Sequence, residues 1–418
     1  MEQRSRRSVL KTGGALGVFG GLAGLGSLTG CAPPGGEGSE WTWSPEGSIP
    51  GTGTGEDPRW VWDDEADELV GSLLARGVVP EVNELLRGWT RNGQVLPDGL
   101  PADLRDFIGR ARQLPAWTDE AKLVAAATFN QKRGLYLGMA YGFASGMMST
   151  VIPHEARAVY YSVGGADMKD RIAKTAKLGY DVGTANAFRP DGEMIVTCVK
   201  TRLAHAAVRN LLPRSSAWSS VADEQIPISQ QDLLVTWHSL PTTVAASLAQ
   251  WKVPIPHDEA QGFLHSWQLT AHMLGFRDEY IPGSWADAKA QADQVLTPIL
   301  GPTPEGKKLA DELLMLGGVI DGGTFTRPLL GALTRYVLGS QIADWLEIPP
   351  DQFWDDAFDN LWEPFVAVRE GVLTTFPDAK DLYWTFDEIL RQGALWYLST
   401  GRYPISIIIP TGNNPNIP

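Results

Sequence analysis

Glu193-Met-Ile-Val-Thr-Cys198-Val-Lys-Thr-Arg202-Leu-Ala-His205-Ala-Ala-Val-Arg209 is the stretch on which the fold turns. Its apolar residues recur at spacings of three and four, the period of one helix face. On that helix His205 has Arg202 three positions before it, Arg209 four after it and Cys198 seven before it. An imidazole therefore lies between two guanidiniums on one stripe, bordered by apolar neighbours. Two arginines beside a histidine suit an anionic ligand with a metal centre, of which a haem with its propionates is one. A salt-bridged solvent face reads the same way, and His265 and His272, seven apart further along the chain, compete as a ligand pair.

Upstream, Lys169-Asp-Arg171-Ile-Ala-Lys174-Thr175-Ala-Lys-Leu178-Gly179 is a second helix with ionic residues where core is expected. Arg171, Lys174, Thr175 and Leu178 share one face at spacings of three, four and seven. Further upstream, residues 134–152 carry no charge and place Gly134, Gly138, Gly142 and Gly146 four apart. About 20 apolar residues suffice to span a bilayer. Tyr136, Tyr141, Ser145 and Ser149 dilute this run and no second span accompanies it, so a central buried helix is expected. Its glycine ridge would admit a neighbouring helix, a flat cofactor or a polymer chain close to the backbone.

Helical periods continue through 67–86, 119–129, 165–178, 191–212, 258–274, 285–300, 305–320, 329–346 and 386–398, punctuated by Pro and Gly. Only 405–409 reads as strand-like. The expectation is an all-α protein. Of its 418 residues, 43% are hydrophobic and sixteen are Trp, enough for a sizeable core. The net charge of −14 disfavours nucleic acids and anionic membranes as partners, since both need a basic face. Two cysteines, Cys31 and Cys198, leave no disulfide scaffold, Cys-rich zinc site or iron–sulfur cluster. With no Cys-x-x-Cys-His motif, covalent haem attachment is excluded as well.

The N-terminus reads Ser5-Arg6-Arg7-Ser8-Val9-Leu10-Lys11 before a Gly-rich, mildly apolar stretch, the pattern of a twin-arginine export signal over 1–30. That route carries folded proteins, often with a cofactor already inserted. Leu28-Thr29-Gly30-Cys31 also has the shape of a lipoprotein box, so the product is either secreted free or tethered at the cell surface through Cys31. The Gly-, Pro-, Ser- and Thr-rich segment that follows reads as a flexible leader over 31–59, and 60–418 as a single helical domain.

Taken together, Arg171-Ile-Ala-Lys174-Thr175-Ala-Lys-Leu-Gly-Tyr-Asp181-Val-Gly-Thr, Arg189-Pro-Asp-Gly-Glu-Met-Ile-Val-Thr-Cys198-Val-Lys-Thr-Arg202-Leu-Ala-His205 and Ile152-Pro153-His154-Glu155-Ala156 resemble the latex clearing proteins, the haem-containing rubber oxygenases of actinobacteria. The resemblance covers nearly the whole chain from about Trp60 and is densest over 155–209. It implies a globin-like helical core with additional helices around one non-covalent haem b, in a monomer. His205 matches the proximal iron ligand, and Lys174 the lysine that occupies the opposite axial position in a closed, resting form. Arg171 and Thr175 match polar residues near the haem, and Glu155 the carboxylate proposed as catalytic base. Arg202, Arg209 and Arg335 match arginines of the surrounding cofactor-holding network. The implied reaction is internal cleavage of poly(cis-1,4-isoprene) by O2, leaving aldehyde and ketone ends. Two other readings stand beside it: an oxygenase for smaller prenyl or alkene substrates, and an exported haem-binding or gas-sensing lipoprotein without turnover.

An axial lysine must be neutral to bind iron, so Lys174 calls for burial. For Glu155, stabilisation of a helix N-terminus competes with catalysis, since it follows a proline.

Overall fold

The computed structural model describes residues 41–320, 326–376, 379–399 and 405–417, and among them no strand occurs. The first helix, α1 (Asp64–Ala75), starts where Asp63 accepts a hydrogen bond from the Ala66 amide, with Asp64, Glu65 and Asp67 in its first turn. Carboxylates there complement the helix dipole. The periodic stretch 67–86 is two helices. Gly77 takes φ +69°, open to glycine at little cost, and turns the chain into α2 (Val79–Arg87). Gly339, at φ +87°, divides 329–346 in the same way. After α3 (Ala102–Ala111) comes the long central helix α4 (Glu120–Ser149), then α5 (Pro153–Tyr161), bent 89° from it at a proline.

α6 (Met168–Asp181), capped by Asp167, and α7 (Met194–Leu211) follow the two ionic stretches of the sequence. α8 runs from Gln230–Trp237 through a π turn at His238–Thr242 into Thr243–Gln250. Its wide turn holds Pro241, which has no amide to donate. The remaining helices are α9 (His257–Met273), α10 (Trp285–Val295), α11 (Pro304–Ile320), α12 (Arg327–Leu338), α13 (Ser340–Trp345), α14 (Gln352–Thr375) and α15 (Ala379–Leu398).

The uncharged glycine run forms the C-terminal half of α4 and is a core element: Tyr136, Ala140, Ala144, Met147 and Val151 have no exposed surface. No single described helix is long and apolar enough to cross a membrane. α4 packs most extensively on α9. The two backbones approach closely at Gly262, where a Cβ would stand 2.5 Å from the Ala126 nitrogen. α1 lies along α7, and α15 lies against α4 and α6. Trp89, Trp218, Trp251 and Trp267 are fully buried, each removing a large apolar surface from water.

Two expectations are corrected. The described part of the flexible leader, 41–59, is docked: Ile49 donates to the Ile281 carbonyl at 2.9 Å, Gly283 to Gly47 at 2.8 Å, and Trp41 packs edge-on against Tyr280. Its prolines and glycines build tight turns that the tryptophan pins down. The run 405–409 makes no strand. Asn83 grips its backbone instead, donating to the Ile409 carbonyl and accepting from the Ile409 amide, as a neighbouring strand would. Residues 1–40, with the arginine pair and Cys31, lie outside the described residues.

Candidate functional site

The two arginines of α7 do not wait for a ligand. Arg202 meets Asp63 through Nε at 2.5 Å and Nη2 at 2.7 Å, and lies over the Phe107 ring. Arg209 donates from Nε to Asp67 at 2.7 Å and from Nη1 to the Ile228 carbonyl at 3.3 Å. Both are clamps between α7 and the N-terminal turn of α1, because a buried guanidinium needs a carboxylate and that turn supplies two. Both arginines thus belong to an ion-paired network around His205. Arg335 is likewise occupied by Asp344 at 2.8 Å and by the Ile348 carbonyl at 2.7 Å.

His205, between the two arginines, has no hydrogen-bond partner among the described residues, and its Nδ1 is buried and unpaired. Burial, with Arg209 and Arg171 adding positive potential, lowers its pKa to about 3. The ring is therefore neutral at pH 7, with Nε2 on its open side. The side chain is half-buried. Arg171 and Thr175, one turn apart on α6, are exposed.

The face of α6 carrying Arg171 and Thr175 is set by contacts behind it. Ala173 packs on Leu395 and Leu398 of α15. Lys177 bridges Asp181 at 2.6 Å and Glu193 at 2.7 Å, and Thr197 of α7 donates to Asp181 at 2.6 Å. Lys174 does not reach the His205 side: its Nζ pairs with Asp170 one turn back, at 2.6 Å.

Glu155 lies in the first turn of α5, the position a helix dipole favours for a carboxylate, but it is not spent there. Its Oε1 accepts a short hydrogen bond from Thr236 Oγ1 of α8, and Arg171 interacts with it electrostatically. Burial raises its pKa to about 7, against the lowering effect of Thr236 and Arg171. Beneath it, His154 Nδ1 contacts Asp232 at 3.0 Å and Nε2 contacts Asp223 at 3.2 Å and Glu224 at 3.5 Å, with Arg157 paired to the same two acids. The ligand atoms of His154, Asp223 and Glu224 lie within 4.8 Å of one another. Arg157 already supplies the cation that such a group would attract.

Thr236 escaped the sequence reading. Ser229-x-x-Asp232 marks a helix start there, and the structure confirms it as a capping box. Nothing local, however, says that the next turn meets a carboxylate 81 positions earlier. The competing pair His265 and His272 forms no joint site. His265 Nε2 accepts from the Asp119 amide at 2.9 Å, His272 Nδ1 meets Asp278 at 2.6 Å, and Trp117 stands edge-on to both. The glycine ridge is mixed. A Cβ at Gly134 would strike Asp387 at 2.9 Å, whereas at Gly138 and Gly142 it would meet nothing within 4 Å.

These residues fit a haem. A neutral imidazole with an unpaired buried nitrogen and an open second one is the donor that haem iron takes. Burying such a ring with no hydrogen bond is otherwise costly. Glu155, Arg171 and Thr236 supply a polar cluster beside it.

A family described as ER-bound oxygenase mpaB/B'/rubber oxygenase, catalytic domain, matches residues 132–368. The chain is 50% identical over 417 residues to a rubber oxygenase of Streptomyces sp. (strain K30), with 100% of each chain covered. The solved structure of latex clearing protein in the closed state superposes with a TM-score of 0.81 at 52% identity, covering 88% of this chain and 99% of that one.

Proposed function

The chain belongs to the rubber oxygenase family, and from that premise we propose that it is a haem b dioxygenase cleaving the double bonds of poly(cis-1,4-isoprene) internally, with one aldehyde and one ketone end per cut. The observation that carries the haem is His205, a neutral imidazole at depth with one ring nitrogen unpaired and the other open. Bound there, a haem would supply the activation of O2. The protein's own work is then to position substrate and move a proton.

Polyisoprene offers neither charge nor hydrogen-bonding group, so shape and apolar walls must hold it. Gly138 and Gly142, with open space beyond their backbones, suit such a chain. Glu155 is the proton acceptor. With its pKa raised to about 7 by burial, it is ionised in part at neutral pH and can accept a proton from the substrate as the double bond is oxidised. Thr236 fixes the carboxylate's orientation, and Arg171 favours its charged form. Lys174, which the resemblance names as a second residue that would hold the haem, is paired here with Asp170. To hold the haem it would have to leave Asp170, which makes this ion pair part of a gate.

The same reading assigns export by the twin-arginine route, lipid attachment through Cys31 or free secretion, one catalytic domain and a monomer. The decisive experiment incubates the purified protein with polyisoprene latex under O2 and analyses the products. Carbonyl-ended oligoisoprenoids, from a protein with a Soret band, are expected. A colourless protein, or one that takes up no O2 with latex, overturns the proposal.

A further inference from the structure

α14 and α15 leave the wrong side uncovered. α14 buries Trp362, Val366 and Arg369. α15 buries Asp387, Leu395 and Leu398 against α4 and α6. The uncovered faces are apolar. Leu361, Phe365 and Val368 on α14 are 65%, 42% and 67% exposed, and Leu382, Phe386, Ile389 and Trp396 on α15 are 70%, 54%, 64% and 61% exposed. The α15 residues follow one another at four, three and seven positions, with exposed Gly393 in the gap. At about 100° per residue they form a single stripe centred opposite the buried face. Large apolar side chains aligned this way mark a surface made to be covered.

The charges around the stripes narrow what covers them. The exposed charged residues described on these two helices are all acidic, Asp356, Asp359, Glu363 and Asp381, of which Glu363 is paired with the exposed Lys252 of a neighbouring turn. An acidic rim on a chain of net charge −14 repels anionic bilayers and a second copy of the same chain. An uncharged hydrocarbon meets no such repulsion. The inner face of α15 packs on α6, whose other face carries Arg171 and Thr175. A body resting on α15 is therefore one helix away from the candidate site.

We propose that the outer stripes of α14 and α15 are an adsorption surface for solid hydrocarbon polymer, separate from the candidate site at which a double bond would react. This rests on the reading of polyisoprene as substrate, because an enzyme for an insoluble chain has to land on the particle before it threads a segment inward.

The test uses the full-length protein and a variant with Leu382→Gln, Phe386→Gln, Ile389→Gln and Trp396→Gln. Particles of hydrogenated polyisoprene, which lack double bonds, report adsorption without turnover. Depletion of protein by these particles should fall at least ~10-fold in the variant, given four apolar side chains removed from the contact. O2 uptake on solid latex should fall with it, while uptake on a detergent-dispersed short oligoisoprenoid stays close to wild type. The single variants Phe386→Gln and Trp396→Gln, each with an unchanged thermal melt, should show a smaller loss of the same kind if the fourfold variant fails to fold.

Undiminished adsorption by the folded variants overturns the proposal. So does a wild-type dimer that the variant dissolves while still adsorbing, or equal wild-type binding to phosphatidylglycerol vesicles and hydrocarbon particles. If no polyene supports O2 uptake yet adsorption still depends on the stripe, the catalytic reading fails and the surface stands.

Discussion

Arg202 and His205 stand one turn apart on α7 and meet opposite fates. The arginine is tied twice to Asp63 and stacked on Phe107. The histidine has no described hydrogen-bond partner and keeps one ring nitrogen buried and unpaired. Four positions later Arg209 is again tied down, by Asp67. A protein that gives the charged groups on either side of one imidazole a carboxylate each, and gives the imidazole no partner, is holding it for something else. The contrast teaches where structure ends and function begins on this helix: paired ionic residues fix α1 to α7, and the unpaired one is available.

That contrast can be broken by substitution. The largest effect is expected from His205→Ala, which should abolish the Soret band and O2 uptake while leaving the unfolding midpoint close to that of the haem-free wild type. A variant that keeps its pigment undisturbed would move the metal ligand elsewhere.

Next comes Glu155→Gln, predicted to cut turnover by about 10²–10⁴-fold with the pigment retained. The wild-type rate should rise as pH increases through about 7, where the carboxyl loses its proton, and this limb should vanish in the variant. Full activity in Glu155→Gln removes it from the mechanism.

Arg209→Ala tests the other side of the comparison. With 2% of its side chain exposed, against 22% for its partner Asp67, loss of the pair should cost about 3 kcal/mol in denaturant unfolding. Activity per folded molecule should survive. Equal losses of stability in His205→Ala and Arg209→Ala would erase the distinction drawn here.

The smallest effect belongs to Thr236→Val. Its hydroxyl donates to Glu155 and lowers that carboxyl's pKa. Removing it should move the rising limb of the pH profile to higher pH with a several-fold loss of rate at pH 7. A purely structural role for Thr236 would leave the limb in place.

Acid stability follows from His205 with the sign worked out. Its pKa is lowered from 6.5 to about 3 in the folded chain, so the unfolded state binds more protons between those values. This group therefore contributes stability above about pH 6.5 that is lost as pH falls toward 3.

The helices that were legible in the sequence are those with a clear apolar stripe and an end signal, such as α6, α7, α9 and α11. Those missed fail on one of these counts. α8 is buried on most of its surface and interrupted by Pro241, so it shows neither a polar face nor an unbroken period. α14 carries apolar residues on two neighbouring faces, one buried and one exposed, which widens the apolar stripe and blurs the 3.6-residue repeat. The turns at Gly77 and Gly339 were invisible because glycine fits a helix interior at moderate cost and shows its positive φ only in the fold.

What the chain's own order of residues determined is the all-α architecture, the joint appearance of Arg171 and Thr175 on one helix face and of Arg202, His205 and Arg209 on another, and the nearness of Glu155 to a helix start. Periodicity is local, and local rules suffice for it. Tertiary structure alone decided that Arg202 and Arg209 go to Asp63 and Asp67, that Thr236 reaches Glu155, that Lys174 rests on Asp170, and that residues 41–59 are docked. Each of these joins groups on separate turns or elements, or chooses among several carboxylates within reach. Which partner a buried charge takes depends on what else is packed beside it, and spacing along the chain carries no record of that.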